Sequence, residues 1–366
     1  MNPSPCPLPR THPPAPSLST QRVPGKGGIS SPSPAHDPPC PEGGWRSEER
    51  AKPGGFQPGE FNWRIVPGWA KPASLPIKNG HGLVFDKSGY LHLLTDHADA
   101  NLLVFDPATG RVVHQKNLGL TGGHGLSIVE ENRRQVLYLT CLNTHRILKT
   151  TLQGEVLAEW GWPKETGKYK SADEYKPSWT LHLPDGSFCV LDGYGKDYVI
   201  RYDKNGKYVG FFGGNEGGIP HWGPHGGYAD KDTLLIAMSD QRSIARWSVG
   251  GKKLGEWTLP GSDPRMLRPW NNANEKLWVV GHLGGKWPQD RNVPGYVSIL
   301  DANFKVLANI GGTKPEYDKT GKLKPMETLP DTPFRRPHDA IIGPDDSLYV
   351  GQFDSGDQPL LKLERI

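Results

Sequence analysis

From Phe61 onward the chain is a succession of short apolar segments, each of strand length and each bounded by Gly, Pro, Asn or Asp. One block shows the unit, with apolar segments at 81–86, 90–94, 101–106 and 111–115 separated by turn-forming residues. Segments this short do not form stable helices, and turn residues at hairpin spacing predict antiparallel strands. Five further blocks follow the same plan at intervals of about 40 to 55 residues, apart from one longer insertion.

Six blocks of up to four strands predict an all-β, six-bladed β-propeller with four-stranded blades over residues 61–366. The blocks open at His81, His124, Trp179, His225, about Arg265, and His338. The sixth shows only three strands before Ile366, and the segment 61–66 is well placed to add the fourth and close the ring. Closure removes an exposed strand edge. A β-sandwich is the alternative, but it predicts neither six repeats nor an isolated terminal strand.

Residues 1–60 differ in kind, since they are rich in Pro, Ser and Gly and have almost no aliphatic periodicity. Such a segment cannot bury enough apolar surface to offset its ordering entropy. Two interpretations fit it: a disordered N-terminal tail, and a start codon assigned too far upstream. The segment also lacks the apolar core of ~7–15 residues that is typical of a secretory signal.

Charge and cysteine usage narrow the class of protein. The formal net charge is only +4, with no basic stripe, which does not favour nucleic-acid binding. No apolar run approaches the ~18 residues of a membrane helix. The four cysteines have no CxxC spacing, and we interpret Cys141 and Cys189 as buried thiols. We expect a monomer that takes a small-molecule or peptide substrate, without a nucleic-acid or membrane partner.

Histidines recur at one phase of the repeat. The first strand of a propeller blade lines the central channel, so residues that open successive blades converge near its axis. His124, His225 and His338 open alternate blades and predict a facial tripod for zinc, with a coordination position left open. His81 and Trp179, or its neighbour Ser178, are expected to line the same channel. The alternative for each histidine is a turn residue whose hydrogen bonds are satisfied locally.

Several segments also resemble the lyase domain of peptidylglycine α-amidating enzymes, a six-bladed propeller of the NHL-repeat type. The resemblance spans most of residues 76–366 and is carried by the segments 123–128, 190–195, 224–226 and 337–351. It implies cleavage of a carbinolamide C–N bond in a peptidyl-α-hydroxyglycine, which releases a peptide amide and glyoxylate. It also implies an exported protein, periplasmic or extracellular.

The family's functional residues fall on specific positions here. Its zinc ligands fall on the same three histidines, and its catalytic tyrosine falls on Tyr194, which would act as the general base. The resemblance also implies a structural calcium. The implied carboxylate ligand is Asp339, and the two backbone-carbonyl ligands lie near Leu83 and Leu126.

Other positions depart from the family. Asp96 stands where the family has an arginine that handles the negative charge of the substrate, and Arg336 stands where it has a methionine. The family's fourth-blade arginine corresponds to Arg242 only after a shift of one residue, and Gly195 replaces a disulfide cysteine. Arg336 or Arg242 is a candidate for the missing cation at a catalytic site.

Three functional hypotheses follow. The first is a zinc-dependent, lyase-like enzyme with an altered substrate. The second is a non-catalytic binding or scaffold propeller of the NHL type, whose histidines hold a structural metal or none. The third is a module that docks protein or RNA on one face, which a clear basic or aromatic face would favour.

Overall fold

The computed structural model describes residues 61–70, 77, 79–216, 221–261, 263–271, 275–285, 289–290 and 292–366. Six antiparallel four-stranded sheets form a β-propeller, which confirms the predicted fold class. Two short 3₁₀ turns, Lys164–Thr166 and Ala172–Glu174, lie between the second and third blades. Residues 1–60, for which a tail or a misassigned start is predicted, lie outside the described residues.

Blades one to five each contain four strands, hydrogen-bonded in chain order from the channel outward. Blade one comprises β2 (Gly80–Phe85), β3 (Leu91–Thr95), β4 (Leu102–Phe105) and β5 (Val112–Lys116), and blade two comprises β6 (Gly123–Glu131), β7 (Arg134–Cys141), β8 (Arg146–Thr150) and β9 (Val156–Trp160). Blade three comprises β10 (Trp179–His182), β11 (Phe188–Leu191), β12 (Tyr198–Tyr202) and β13 (Tyr208–Gly213), and blade four comprises β14 (Pro224–Asp230), β15 (Thr233–Met238), β16 (Ser243–Ser248) and β17 (Lys253–Thr258). Blade five comprises β18 (Pro264–Asn271), β19 (Lys276–His282), β20 (Tyr296–Leu300) and β21 (Val306–Ile310).

Blade six is completed by the N-terminal strand, as predicted. Its strands are β22 (Pro337–Ile342), β23 (Leu348–Gln352), β24 (Leu360–Arg365) and, outermost, β1 (Trp63–Ile65). Trp63 pairs with Arg365 and Ile65 with Leu363. Trp63 and Ile65 also pack against the apolar cluster between blades five and six. The first and last described strands therefore share one sheet, and the ring has no open end.

The apolar pattern follows the position of each strand in its blade. The two middle strands of a blade, such as β3 and β20, are buried along their whole length because a neighbouring blade covers each face. Outer strands such as β17 are largely exposed. Stacked clusters join neighbouring blades, and Tyr349 of blade six reaches blade one with its ring 5.1 Å from Phe85 and 5.2 Å from Trp69. Within the described residues, no helix has the length and apolar character required to cross a membrane.

Candidate metal centre

β-Bulges near the start of the innermost strands turn side chains toward the channel. The pairing of inner and second strands shifts between Gly80 and Leu83 in blade one, and at the corresponding places in blades two, four, five and six. A bulge bends the strand and changes the direction of the released side chain. The residues released in this way are His81, His124, His225, Arg265 and His338. Blade three has no bulge there and presents Ser178 and Trp179.

The glycine after three of these histidines has a packing origin. A Cβ on Gly82 would lie 2.6 Å from the backbone nitrogen of Leu126, a Cβ on Gly125 would lie 2.4 Å from the carbonyl oxygen of Ser178, and a Cβ on Gly226 would lie 3.0 Å from the carbonyl oxygen of Arg265. Adjacent inner strands approach too closely there for any larger residue. The glycine of each His-Gly pair is therefore required by the close approach of neighbouring inner strands.

Four imidazoles meet inside the ring. The Nε2 atoms of His124 and His338 lie 2.9 Å apart. The ring centroid of His225 is 4.7 Å from that of His124 and 4.8 Å from that of His338, and the His81 ring is 4.7 Å from the His338 ring. His81, His124 and His338 each offer a nitrogen within 4.8 Å of the others, and all three are buried. Three buried histidines can therefore hold one metal ion.

Hydrogen bonds prepare two of these rings as ligands. Nδ1 of His124 donates to the carbonyl of Ser178, and Nδ1 of His225 donates to the carbonyl of Arg265, both at 2.9 Å. These bonds leave the lone pair of each Nε2 available, the usual arrangement of a metal-binding histidine. Burial lowers the pKa of both imidazoles well below its usual value, and neighbouring imidazoles and Arg265 lower it further. Both rings are neutral at neutral pH, the form that binds metal.

The structure brings the whole predicted tripod to the channel, together with His81. Nε2 of His225 lies 2.9 Å from the hydroxyl of Tyr194, which can donate to it. Nδ1 of His81 is buried and has no hydrogen-bond partner among the described residues. The distances thus favour His81 as the third ligand beside His124 and His338. His225, chosen from the repeat phase, is the other candidate.

Asp96 lies beside this cluster. One of its carboxylate oxygens is 3.7 Å from Nε2 of His81 and accepts a hydrogen bond from Nδ2 of Asn79 at 2.6 Å. Burial raises the pKa of Asp96, but His81 and Asn79 outweigh it and leave the pKa below its usual value. A carboxylate beside a ligand imidazole orients the ring and increases its basicity. The residue that departs from the family's arginine is therefore placed to support His81.

Tyr194 lies beside the histidines. It follows β11 and places its hydroxyl 2.9 Å from Nε2 of His225 and 3.3 Å from Nε2 of His124. Burial of the hydroxyl raises its pKa, an effect that Arg265 partly offsets. Without a bound cation Tyr194 is therefore protonated at neutral pH, and a role as general base requires a cation beside it.

Arg265 places a positive charge beside the histidines, and it is absent from the residues predicted for the site. It occupies the bulge of blade five, is 6 % exposed, and has an Nε with no hydrogen-bond partner among the described residues. Nη2 lies 3.4 Å from a carboxylate oxygen of Asp263. A signal was present, because Pro264-Arg265 repeats the phase of Pro224-His225 and of the corresponding pair in blade six.

The two arginines predicted to supply the cation have other partners. Nη1 of Arg336 donates to the carbonyl oxygen of Asp354 at 3.0 Å and to its carboxylate at 3.1 Å. Nε of Arg242 lies 3.8 Å from the carboxylate of Asp263. Arg265 differs from both because it is buried and its charge lowers the pKa of His124 and of His225, which places its guanidinium close to the histidines.

The residues implied as calcium ligands also meet, but around a side chain of the protein. Arg268 of β18 donates to the carboxylate of Asp339 and to the carbonyl of Leu83, and its Nη2 lies 3.4 Å from the carbonyl oxygen of Leu126. The oxygens that would coordinate calcium are therefore occupied by a guanidinium. This donor set does not fit a divalent cation in this chain.

A cavity of about 630 Å³ lies at the opposite end of the inner strands from the histidines. Arg268 and Trp179 line it, as do His182 and Tyr228. None of the four axial histidines lines this cavity.

Comparison with known proteins places the fold. No model of a protein family matches the chain, and no curated protein matches it. The chain is similar to a solved streptogramin B lyase structure, at 13 % identity over 80 % of this chain and 95 % of that one, with a TM-score of 0.53. It is also similar to a catalytically inactive histidine-to-alanine variant of virginiamycin B lyase from Staphylococcus aureus with quinupristin, at 13 % identity over 83 % and 99 %, with a TM-score of 0.51. At this identity the likeness establishes the propeller fold, and the amidating-lyase resemblance stays a prediction.

Proposed function

We propose that the chain is a metal-dependent, lyase-like propeller enzyme whose ion is held in the channel by His81, His124 and His338. The observation that carries this is the 2.9 Å separation between Nε2 of His124 and Nε2 of His338, with Nδ1 of His124 committed to a carbonyl. Neutral, buried imidazoles suit zinc. Zinc, when bound, would act as a Lewis acid toward an oxygen of the substrate.

Tyr194 and Arg265 are the chain's own reactive and binding groups beside that ion. The Tyr194 hydroxyl already lies within hydrogen-bond distance of two axial histidines, so a substrate oxygen at the cluster comes within its reach. It is proposed to exchange a proton with that oxygen or with the leaving group. Arg265 is proposed to hold a negative charge of the substrate, because its buried guanidinium has a donor without a partner among the described residues.

The proposed substrate is small or peptidic, and the proposed reaction cleaves a C–N bond, as the resemblance implies. We expect this chain to recognise its substrate differently from the family, because Asp96 supports a histidine at the position where the family has a cationic arginine. The cation here belongs to blade five instead of blade one. The two similar solved structures are described as lyases, which adds quinupristin-like compounds to the substrates worth screening.

A non-catalytic binding propeller with a structural metal is the second candidate. The depth of the cluster favours it, because the four histidines are at most 5 % exposed. A structural ion needs no access, whereas a catalytic ion needs an open coordination position.

Metal analysis followed by a turnover screen tests both candidates. Purified protein loaded with zinc and desalted is expected to retain about one ion per chain, and His124→Ala is expected to lose it while keeping its β-sheet circular dichroism. His114→Gln, a half-buried histidine on β5, is the matched control and should retain the ion. Glyoxylate release from peptidyl-α-hydroxyglycines then reports turnover. Absence of bound zinc in the folded wild type would refute the metal centre, and bound zinc without turnover of any screened compound favours the binding propeller.

A further inference from the structure

One guanidinium stands at the centre of the groups that the resemblance implies as calcium ligands. Arg268 donates from Nε to one carboxylate oxygen of Asp339 at 3.0 Å and from Nη2 to the other. The same Nη2 donates to the carbonyl of Leu83 at 2.7 Å and lies 3.4 Å from the carbonyl oxygen of Leu126. A carboxylate and two inward-facing carbonyls therefore share one positive charge.

This arrangement is built into the wall of the channel. Asp339 is fully buried, and the side chain of Arg268 is 12 % exposed. The backbone N–H of Leu83 also donates to the Asp339 carboxylate at 2.8 Å. The guanidinium lies over the ring of Trp179, 4.6 Å from its centroid. These contacts connect blades five, six, one, two and three, as an ion bound at the same place would.

We propose that Arg268 is the internal cation of this propeller and takes the place of a divalent structural ion. Arginine remains charged at every physiological pH and presents five donors in a planar fork, so one side chain can satisfy both carboxylate oxygens and a carbonyl. Calcium requires six to eight oxygen ligands, and here those oxygens already accept from a cation. The blades are thus held together at this level without calcium. This inference does not depend on the catalytic role proposed for the histidines.

Thermal unfolding of the full chain tests it, after metal removal with EDTA and dialysis. The wild-type melting temperature is expected to be unchanged by millimolar calcium chloride. Arg268→Ala leaves the buried carboxylate of Asp339 without a positive charge beside it and is expected to melt roughly 5–15 °C lower. Calcium should then raise its melting temperature in a saturable way, whereas sodium chloride at equal ionic strength should not. The double variant Arg268→Ala with Asp339→Asn is the matched control and should not respond to calcium.

Two results would overturn the inference: a wild-type protein that calcium stabilises, and an Arg268→Ala protein whose melting temperature is unchanged or insensitive to calcium. If Arg268→Ala folds only poorly, its refolding yield with and without calcium gives the same information. Arg268→Lys keeps the positive charge but loses the planar set of guanidinium donors that reaches both carboxylate oxygens. It should melt between wild type and Arg268→Ala and ignore calcium, and a calcium response in this variant would also contradict the inference.

Discussion

Nε2 of His124 and Nε2 of His338 lie 2.9 Å apart across the channel, although 214 residues separate them along the chain. The hydrogen bond from Nδ1 of His124 to Ser178 places the proton on that side of the ring. Two lone pairs at this distance repel each other unless a proton or a metal ion lies between the rings. Two nitrogen ligands of one tetrahedral zinc ion, with bonds of ~2.0–2.1 Å, lie roughly 3.3 Å apart, so the rings would move outward by only a few tenths of an ångström to hold one.

The identity of the third ligand can be decided with two variants. His81→Ala is expected to weaken zinc binding by at least ~100-fold, because His81 belongs to the compact set of three nitrogens. His225→Ala should weaken it by less than ~10-fold, since Nε2 of His225 is engaged by Tyr194. Competition with a chromogenic chelator measures both affinities. The reverse order would identify His225 as the ligand, as the repeat phase predicts.

Tyr194→Phe should separate chemistry from metal binding. Removal of the hydroxyl is expected to lower kcat by ~10²–10⁴-fold, the usual contribution of a positioned acid–base group. KM and zinc content should change little, because the ring and the imidazoles remain. Steady-state kinetics with metal analysis on the same preparation provide the measurement. An unchanged kcat would exclude Tyr194 from proton transfer.

Arg265→Gln should weaken the binding of an anionic substrate. We expect KM to rise by ~10–100-fold, in line with the ~1.5–3 kcal/mol of a charge-assisted hydrogen bond. Arg336→Gln is the matched control and should leave KM unchanged, because Nη1 of Arg336 is bonded to Asp354. Both constants come from the same turnover assay. A larger effect at Arg336 would show that blade six supplies the cation.

Ring closure predicts a sharp boundary for N-terminal deletion. A chain that begins at residue 61 keeps β1 and should melt like the full-length protein. A chain that begins at residue 67 loses Trp63 and Ile65 from the cluster between blades five and six and exposes the edge of β24. It is expected to melt roughly 5–10 °C lower and to aggregate. Equal melting temperatures and equal solubility would contradict the closing role of β1.

His182 should make stability depend on pH in the acid range. Burial lowers the pKa of its imidazole from 6.5 to about 3 in the folded protein, and the charge of Lys149 adds to the effect. Between these two values the unfolded chain binds the extra proton, so stability is complete above pH 6.5 and falls as the pH drops toward 3. The slope is at most about 1.4 kcal/mol per pH unit, because a single proton is involved.

Urea unfolding from neutral to acid pH measures that slope. His182→Gln should flatten it whatever its effect on stability at neutral pH, whereas His114→Gln should leave it as in the wild type. An equal slope in wild type and His182→Gln would assign the acid sensitivity to other groups.

Local pattern was sufficient for the blades but not for every boundary. In blade two the apolar part of the inner strand ends at Val129, before Glu130 and Glu131. The strand continues to Glu131, since Asn132 and Arg133 adopt positive φ and form a two-residue hairpin turn beyond the apolar part. β6 and β7 therefore stay paired beyond their apolar residues, and the apolar pattern alone underestimates the length of both strands.

The sequence by itself determined the six blades, the closing strand and the histidines that enter the channel, because each depends on a pattern repeated within a blade. Only the tertiary structure decided which charges meet between blades. Arg268 reaches Asp339 across 71 residues, and the N–H of Leu83 reaches the same carboxylate across 256. Such contacts depend on how the ring closes, since closure sets which residues of distant blades share a level of the channel. A repeat pattern reveals that residues face the axis, but not which of them neutralise one another there.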